Sequence, residues 1–307
     1  MKKHLFASKE VITLLIFRFF FSVLFLFLIQ VDTFSQDKII GGASVDISAR
    51  PFQVSIEDKY FDDAHRCSGA ILSKEWVLTA GHCFNMNVPD PSRYTVHAGA
   101  TDQTDNNVGQ RIEVAQIVFH PLWIAAGGHI EYGPDLALIR LKTPLCFNAN
   151  VQPIAYTTSN QDLPIGTMVS LSGWGATTDG GPNVAGLRGV DLPIISDGNA
   201  NTLLASTNNT CTPPPLVNDD YIAFFDVAGK SAALGDSGGP ATINGGTLLI
   251  GIGSWGGCPR DEFPSVYTDI RPLTDFIEDH INQPGGTDEY IDENTLIDTG
   301  AEAICPP

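Results

Sequence analysis

Short runs rich in β-branched and aromatic residues recur along the chain, separated by clusters of Gly, Pro, Asn and Asp. Runs of this length and spacing are typical of antiparallel sheets, whereas βαβ units would need helical segments between them. A helical pattern follows the last run, at Leu273–Ile281. The sequence therefore predicts an all-β barrel or sandwich that ends in a helix. The predicted strands are Phe52–Ile56, Gly69–Leu72, Trp76–Thr79, Tyr94–Ala98, Ile112–Phe119, Leu136–Leu141, Met168–Ser172, Thr247–Ile252 and Ser265–Thr268.

A glycine-rich hexamer at 235–240, GDSGGP, carries the first chemical signal. Glycines let backbone N–H groups approach a substrate carbonyl closely, and Ser237 between them can present a hydroxyl at the same point, as acyl transfer requires. The G-x-S-x-G pattern also fits the nucleophile elbow of α/β-hydrolases, and many Gly/Ser-rich hexamers are turns. The hexamer alone leaves these interpretations open.

Two further motifs decide between them. The segment LTAGHC contains His82, and the segment DLALI begins with Asp135. The chain order His, Asp, Ser differs from Ser, acid, His in α/β-hydrolases and from Asp, His, Ser in subtilisin. Further motifs in the same chain order are IIGG at 39–42, CSGA at 67–70, GWG at 173–175 and SWG at 254–256. In these motifs and their order the chain resembles the chymotrypsin/trypsin-like serine proteases.

The resemblance implies two six-stranded antiparallel β-barrels with the active site in the cleft between them, plus a C-terminal helix. It implies an acyl-enzyme mechanism in which His82 takes the proton of the Ser237 hydroxyl and returns it to the leaving amine. Asp135 would hold the imidazole in the right tautomer, with support from Ser254. The backbone N–H groups of Gly235 and Ser237 would form the oxyanion hole.

A competing hypothesis is a catalytically inactive protease homologue that acts as a binding module, since the same fold hosts such proteins. The presence of His82, Asp135, Ser237 and Gly235 together favours an enzyme. An esterase on an α/β-hydrolase fold is disfavoured by the order of the three residues.

The first 38 residues precede the resembling region. Two lysines and an apolar stretch from Val11 to Ile29, followed by small residues at Thr33 and Ser35, predict a secretory signal peptide over 1–35. The whole of the apolar stretch could instead serve as a signal anchor. Residues 36–38 are then a short activation propeptide, residues 39–282 the protease domain and residues 283–307 an acidic C-terminal extension. The expected location is extracellular, with no membrane contact after signal cleavage.

In the resembling family a protease cleaves before an isoleucine such as Ile39, and the freed ammonium pairs with the aspartate that precedes the nucleophile, here Asp236. The resemblance therefore implies a zymogen cleaved after Lys38 by a trypsin-like activating protease. Burying the new charge of Ile39 is tolerable only if a carboxylate meets it, and this pairing reshapes the loop that carries Gly235.

The primary specificity pocket binds P1, the substrate residue before the cleaved bond. Counting back from the nucleophile, as the family allows, places Ser231 at the pocket base, with Gly256 and Ser265 on its walls. Without an acid at these positions, a basic P1 side chain finds no carboxylate to offset its desolvation. A neutral pocket narrowed by Ser265 favours Leu, Met, Phe or Tyr, with smaller residues second, as in chymotrypsin-like or elastase-like enzymes.

Two neighbouring segments complete the expected substrate site. Ser254, Trp255 and Gly256 offer backbone edges with which an extended peptide can pair. The loop 259–263 aligns poorly with the family, so Asp261 or Glu262 could enter the pocket.

Six cysteines in a chain with a predicted signal peptide indicate three disulfides, with fifteen connectivities on counting alone. The resemblance pairs Cys67 with Cys83, beside the catalytic histidine. The resemblance also implies that Cys211 and Cys258 have each lost their family partner, and the expectation is that they pair with each other. Cys146 and Cys305 would then tie the C-terminal extension to the first barrel.

The charge balance, 17 basic against 35 acidic residues and a net charge of -18, argues against nucleic acid and anionic membranes as partners. The expected partners are protein or peptide substrates, the activating protease and protein inhibitors of proteases. No cofactor or metal is expected, because Ala100 and Gly109 stand where the glutamate ligands of a family calcium loop would be. Asn208 begins an Asn-Asn-Thr sequon and is a predicted glycosylation site.

Overall fold

The computed structural model describes residues 39–62, 64–157, 163–210, 216–226 and 229–281. The predicted signal peptide, Lys38, Cys211, Cys305 and the acidic extension lie outside these residues. Within them the strands are β1 (Ala43–Ser44), β2 (Gln53–Asp58), β3 (Ala64–Ile71), β4 (Trp76–Thr79), β5 (Tyr94–Ala98), β6 (Gln110–Phe119), β7 (Ala137–Leu141), β8 (Ala155–Tyr156), β9 (Met168–Gly173), β10 (Arg188–Ile195), β11 (Tyr221–Phe224), β12 (Pro240–Ile243), β13 (Leu248–Gly256) and β14 (Ser265–Asp269). The helices are α1 (Pro121–Ala125), α2 (Asp197–Leu204) and α3 (Thr274–Ile281). None of these described helices is long and apolar enough to cross a membrane.

The first barrel closes through the strand order β2-β3-β4-β7-β6-β5, all antiparallel. Val54 on β2 pairs with Gly69 on β3 and with Ala98 on β5, which joins the two ends of the sheet. Inward side chains such as Val54, Val96 and Leu138 are fully buried. Closure leaves no free edge in this barrel. The pairing of β4 with β7 places the last residue of β4, Thr79, opposite the first residue of β7, Ala137.

The second barrel follows the order β10-β11-β14-β13-β12-β9 and closes through the pairing of β9 with β10. Strand β1 adds to β10, and the short β8 adds in parallel to β13. The core of this barrel contains Leu171, Phe224, Tyr267 and Ile39. The expected two six-stranded antiparallel barrels with a C-terminal helix are therefore confirmed.

The strands that sequence reasoning did not predict are β1, β8, β10, β11 and β12. Strand β10 contains Gly189, Asp191 and Pro193, residue types that are depleted in strands. The predicted helix begins at Thr274 rather than Leu273, because a short 3₁₀ turn at Arg271–Leu273 precedes it.

One disulfide lies within the described residues, between Cys67 on β3 and Cys83 after β4, as expected. Cys146 and Cys258 are also disulfide-bonded. Their expected partners, Cys305 and Cys211, lie outside the described residues, so those two pairings stay predictions.

Removing the Cys67–Cys83 bridge in a Cys67→Ala/Cys83→Ala double variant should lower the free energy of unfolding by about 3 kcal/mol. The bridge closes a loop of sequence separation 16, and the unfolded chain gains the corresponding loop entropy when it is removed. Urea denaturation of the two proteins measures the difference. A loss below about 1 kcal/mol would show that the bridge hardly constrains the unfolded chain.

Candidate active site

His82 lies in a 3₁₀ turn, Gly81–Cys83, directly after β4. The Cys67–Cys83 disulfide holds the end of this turn against β3. A Cβ on Gly81 would lie 2.6 Å from Nε1 of Trp123, so only glycine allows this close approach of α1. The turn is thus fixed on both sides, while the His82 side chain remains 35% exposed.

Asp135 lies just before β7 and is fully buried. Its Oδ1 accepts a hydrogen bond from the backbone N–H of His82 (2.8 Å), and its Oδ2 lies 2.6 Å from His82 Nδ1. The Ser254 hydroxyl donates to the same Oδ2 (2.6 Å), and the Thr268 hydroxyl donates to the backbone carbonyl of Asp135 (2.9 Å). Because a carboxylate only accepts, Nδ1 carries the proton and the Nε2 of a neutral His82 ring is free to take one.

The charges of this pair support each other. Burial lowers the pKa of His82, but the Asp135 carboxylate outweighs burial through its charge and hydrogen bond and raises that pKa above its usual value. Burial also raises the pKa of Asp135, yet the charge of His82 and the hydrogen bonds from His82 and Ser254 bring it below its usual value. The pair therefore favours an ionised carboxylate and stabilises an imidazolium when one forms.

Ser237 follows a turn that hydrogen bonds connect to both barrels. Its carbonyl accepts from the N–H of Ser68 on β3 (2.7 Å), and the N–H of Gly238 donates to Gly253 on β13 (2.7 Å). Gly238 has a φ of 76°, and a Cβ there would lie 2.2 Å from Thr79 Oγ1. The hexamer therefore lies directly against the strand that leads to His82. Among the described residues none makes a hydrogen bond with the Ser237 hydroxyl, and such contacts often form only with substrate bound.

The segment that carries Gly235 is held by a histidine that lies outside the sequence motifs described above. His65 on β3 is buried, and its Nε2 donates to the carbonyl of Gly235 (2.8 Å). Its Nδ1 lies 2.7 Å from the hydroxyl of Ser55 on β2 and accepts from it, because Nε2 holds the proton. Burial lowers the pKa of His65 to about 4, so the ring is neutral at working pH. Gly235 has a φ of 95°, a conformation that suits glycine, and the contact with His65 holds its carbonyl in place.

Asp236 is buried and its carboxyl group is held by backbone donors. Oδ1 accepts from the N–H of Gly175 and Oδ2 from the N–H of Ala233, both at 2.8 Å. Burial raises the pKa of Asp236 to about 6, even though these hydrogen bonds oppose the shift. Ile39 is fully buried, and the adjacent Ile40 packs against Ala233. The structure therefore brings the start of the domain and the Asp236 turn together.

The expected pocket base and wall are joined by hydrogen bonds. Ser231 Oγ donates to the carbonyl of Ala232 (2.7 Å) and lies 3.0 Å from Ser265 Oγ. Ser265 Oγ in turn accepts from the N–H of Ala232 (3.0 Å). Both serines are buried, and Gly256 pairs directly with Ser265 across β13 and β14. The expected base of the pocket therefore carries two mutually bonded hydroxyls, and none of Ser231, Ala232 and Ser265 is charged.

The remaining predicted residues fall in two places. Trp255 is buried against Tyr221 and Phe263, which fixes the strand that carries Ser254. Asn208 is exposed after α2, as a glycosylation acceptor must be. In the poorly aligned loop Glu262 is exposed, and the side chain nearest to Gly256 is that of Arg260 rather than an acid.

The described residues contain one group of potential metal-ligating atoms close together, from Cys67, His82 and Cys83. The two sulfurs are bonded to each other, so neither offers the thiolate that a zinc ion would need. This group therefore fits a disulfide beside a histidine rather than a metal centre.

Two closed barrels with a serine turn, a histidine and a buried aspartate between them define a serine endopeptidase. The chain belongs to the trypsin family, whose model, described as Trypsin, matches residues 39–277. A similar curated protein is the trypsin of Phaedon cochleariae, which is 31% identical over 253 residues. The alignment covers 81% of this chain and 91% of that trypsin.

Proposed function

We propose that this serine endopeptidase uses Ser237 as nucleophile, His82 as general base and Asp135 as the group that orients His82. The observation that carries the proposal is the hydrogen-bond chain from Ser254 through Asp135 to His82, which leaves Nε2 ready to accept a proton. A serine hydroxyl is a weak nucleophile at neutral pH and needs such a base.

The reaction then runs in two halves. His82 takes the Ser237 proton as the oxygen attacks the substrate carbonyl, and returns that proton to the leaving amine. The N–H groups of Gly235 and Ser237 stabilise the oxyanion, and losing one such donor typically costs about 3 kcal/mol of transition-state stabilisation. A water molecule then attacks the acyl-enzyme with the same proton transfers through His82, which releases the second product and frees Ser237.

The pocket supports an uncharged P1 preference of the chymotrypsin-like or elastase-like kind. Ser231 and Ser265 place no carboxylate at its base, so a lysine or arginine side chain would be desolvated without a partner. The favoured P1 residues are Leu, Met, Phe and Tyr, with smaller residues second. Ser254, Trp255 and Gly256 supply the strand edge along which the substrate extends.

The proposed enzyme is secreted as a zymogen and activated by cleavage after Lys38. The support comes from Ile39, which is fully buried, and from Asp236, whose pKa burial raises to about 6. An ammonium freed at Ile39 would act against this shift and favour the carboxylate. The signal peptide over 1–35 and the acidic extension over 283–307 are parts of the same proposal.

The Lys38→Gln variant should fail to mature when the secreted protein is treated with trypsin, because the activating protease needs a basic residue before Ile39. Mass spectrometry of the new N-terminus measures maturation. A Lys142→Gln variant, which changes an exposed lysine away from the site, serves as control and should mature normally. Normal release of Ile39 from Lys38→Gln would disprove this activation site.

Fluorophosphonate labelling before and after limited trypsin treatment tests the proposed function as a whole. We expect label on Ser237 only after Ile39 is freed, and no label on a Ser237→Ala variant treated in the same way. A correctly cleaved protein that takes no label would instead support the inactive homologue that acts as a binding module.

A further inference from the structure

Arg260 differs from every other arginine among the described residues. Each of the others donates at least one side-chain hydrogen bond to a carboxylate, a carbonyl or a hydroxyl. The Arg260 guanidinium makes no hydrogen bond and no ion pair with a described residue, although the residue is half-buried. A guanidinium carries five N–H donors, so a half-buried one without a partner is poised to bind an acceptor.

The guanidinium lies on the pocket side of β13. Gly256 and Ser265 are directly opposite each other in an antiparallel pair, so their side-chain positions share one face of the sheet. The Ser265 hydroxyl on that face bonds to the pocket base at Ser231 and Ala232. A Cβ on Gly256 would project from the same face and would lie 2.7 Å from Nη1 of Arg260. The positive group therefore lies over the pocket wall.

The loop that carries Arg260 is held in place from several sides. Cys258 is disulfide-bonded, and the backbone N–H of Arg260 donates to Asp179 Oδ1 (3.1 Å). The carbonyl of Asp261 accepts from the N–H of Gly229 (2.6 Å), and Phe263 is buried in the core. Because the backbone is already fixed, a ligand that binds the guanidinium has to order the side chain only and not the loop.

The charge of Arg260 reaches the neighbouring groups. Burial lowers the pKa of the Arg260 guanidinium, while the charges of Asp179 and Asp236 act in the opposite direction. The same positive charge lowers the pKa of Asp236 and that of His82. Arginine stays protonated in proteins. The positive charge of Arg260 therefore lies beside the uncharged floor of the pocket at Ser231 and Ser265.

We propose that Arg260 binds the carboxylate of an acidic P1 side chain, so that the enzyme cleaves after glutamate or aspartate as well as after uncharged residues. The inference rests on the proposed function and deepens it by naming a further substrate class. A carboxylate would accept the free guanidinium N–H groups in a paired, bidentate arrangement. A lysine or arginine side chain at P1 would instead meet the like charge of Arg260.

The test compares peptides that differ only at P1, with glutamate in one and its uncharged isostere glutamine in the other. We expect kcat/KM of the activated enzyme to be at least about 10-fold higher for glutamate, as a charge-assisted hydrogen bond implies. The Arg260→Gln variant should abolish this ratio while it retains cleavage of the leucine peptide. Arg188→Gln, which removes an equal charge away from the pocket, should keep the ratio.

The outcomes separate the two proposals. A wild-type ratio near one, in an enzyme that labels at Ser237 and cleaves the leucine peptide, would overturn the role of Arg260 and leave the proposed function intact. A ratio that persists in Arg260→Gln would overturn it as well. An activated protein that neither labels nor cleaves any peptide would contradict both proposals.

Discussion

Replacement of His82 by alanine is expected to lower kcat about 10⁶-fold, because no other described side chain is placed to take the Ser237 proton. Asp135 holds His82 through two contacts, at the backbone N–H and at Nδ1, which leaves Nε2 as the proton acceptor. The measurement is kcat for a peptide substrate after activation at Ile39. The rate of fluorophosphonate labelling measures the reactivity of the Ser237 hydroxyl directly.

The matched control is His129→Ala, an exposed histidine outside the site. Its kcat should stay within about threefold of the parent value, in line with a surface substitution. A His82→Ala enzyme that keeps more than about 1% of the parent kcat would show that another base acts on Ser237. Circular dichroism of each variant checks that the fold is retained.

The fold could be predicted because most of its strands have a local signal. Val, Ile, Leu or aromatic residues occur in each of β2 to β7, and the alternation of these runs with turns is visible without the structure. Strands β10 and β12 lack that signal, since one contains Pro193 and the other directly follows the glycine-rich hexamer. They form because the second barrel closes only when they pair with β9.

The candidate catalytic residues His82, Asp135 and Ser237 could be proposed from the sequence because each stands inside a short motif. The histidine that holds the Gly235 segment in place belongs to none of the recognised motifs. His65 touches Gly235, which is 170 positions away in sequence, and the contact exists only after β3 is registered against β2. No periodicity or spacing distinguishes this histidine from His97 on β5, whose Nε2 donates to the carbonyl of Val108 instead.

Arg260 shows a different limit of sequence reasoning. The loop 259–263 contains one basic and two acidic residues, and the sequence alone leaves open whether Asp261 or Glu262 enters the pocket. The backbone of the loop is held by hydrogen bonds from outside it, to Asp179 and from Gly229. In this folded loop the Arg260 side chain lies next to Gly256, and Glu262 is exposed.

Replacement of Asp135 by asparagine is expected to lower kcat about 10⁴-fold while the backbone geometry is kept. Three donors converge on the two oxygens of Asp135: the His82 N–H, the His82 Nδ1–H and the Ser254 hydroxyl. Asparagine has one oxygen, and if it remains with the His82 N–H, its NH₂ group faces Nδ1 and donates to it. The ring proton then moves to Nε2, where it blocks acceptance of the Ser237 proton.

The same variant should also change the pH dependence of activity. The reaction needs neutral His82, so activity is lost as the pH falls through the pKa of His82, which Asp135 raises. Without the carboxylate that pKa falls, and the remaining activity should persist to lower pH.

Ser254→Ala is the control, because it removes one donor to Asp135 Oδ2 and keeps the tautomer of His82, at a cost of about 10-fold in kcat. Profiles of kcat against pH for the three enzymes test both effects, and an Asp135→Asn enzyme that matches Ser254→Ala in rate and acid limb would contradict the assigned role of Asp135. A lower kcat with an unmoved acid limb would place the loss in packing around His82 rather than in its protonation.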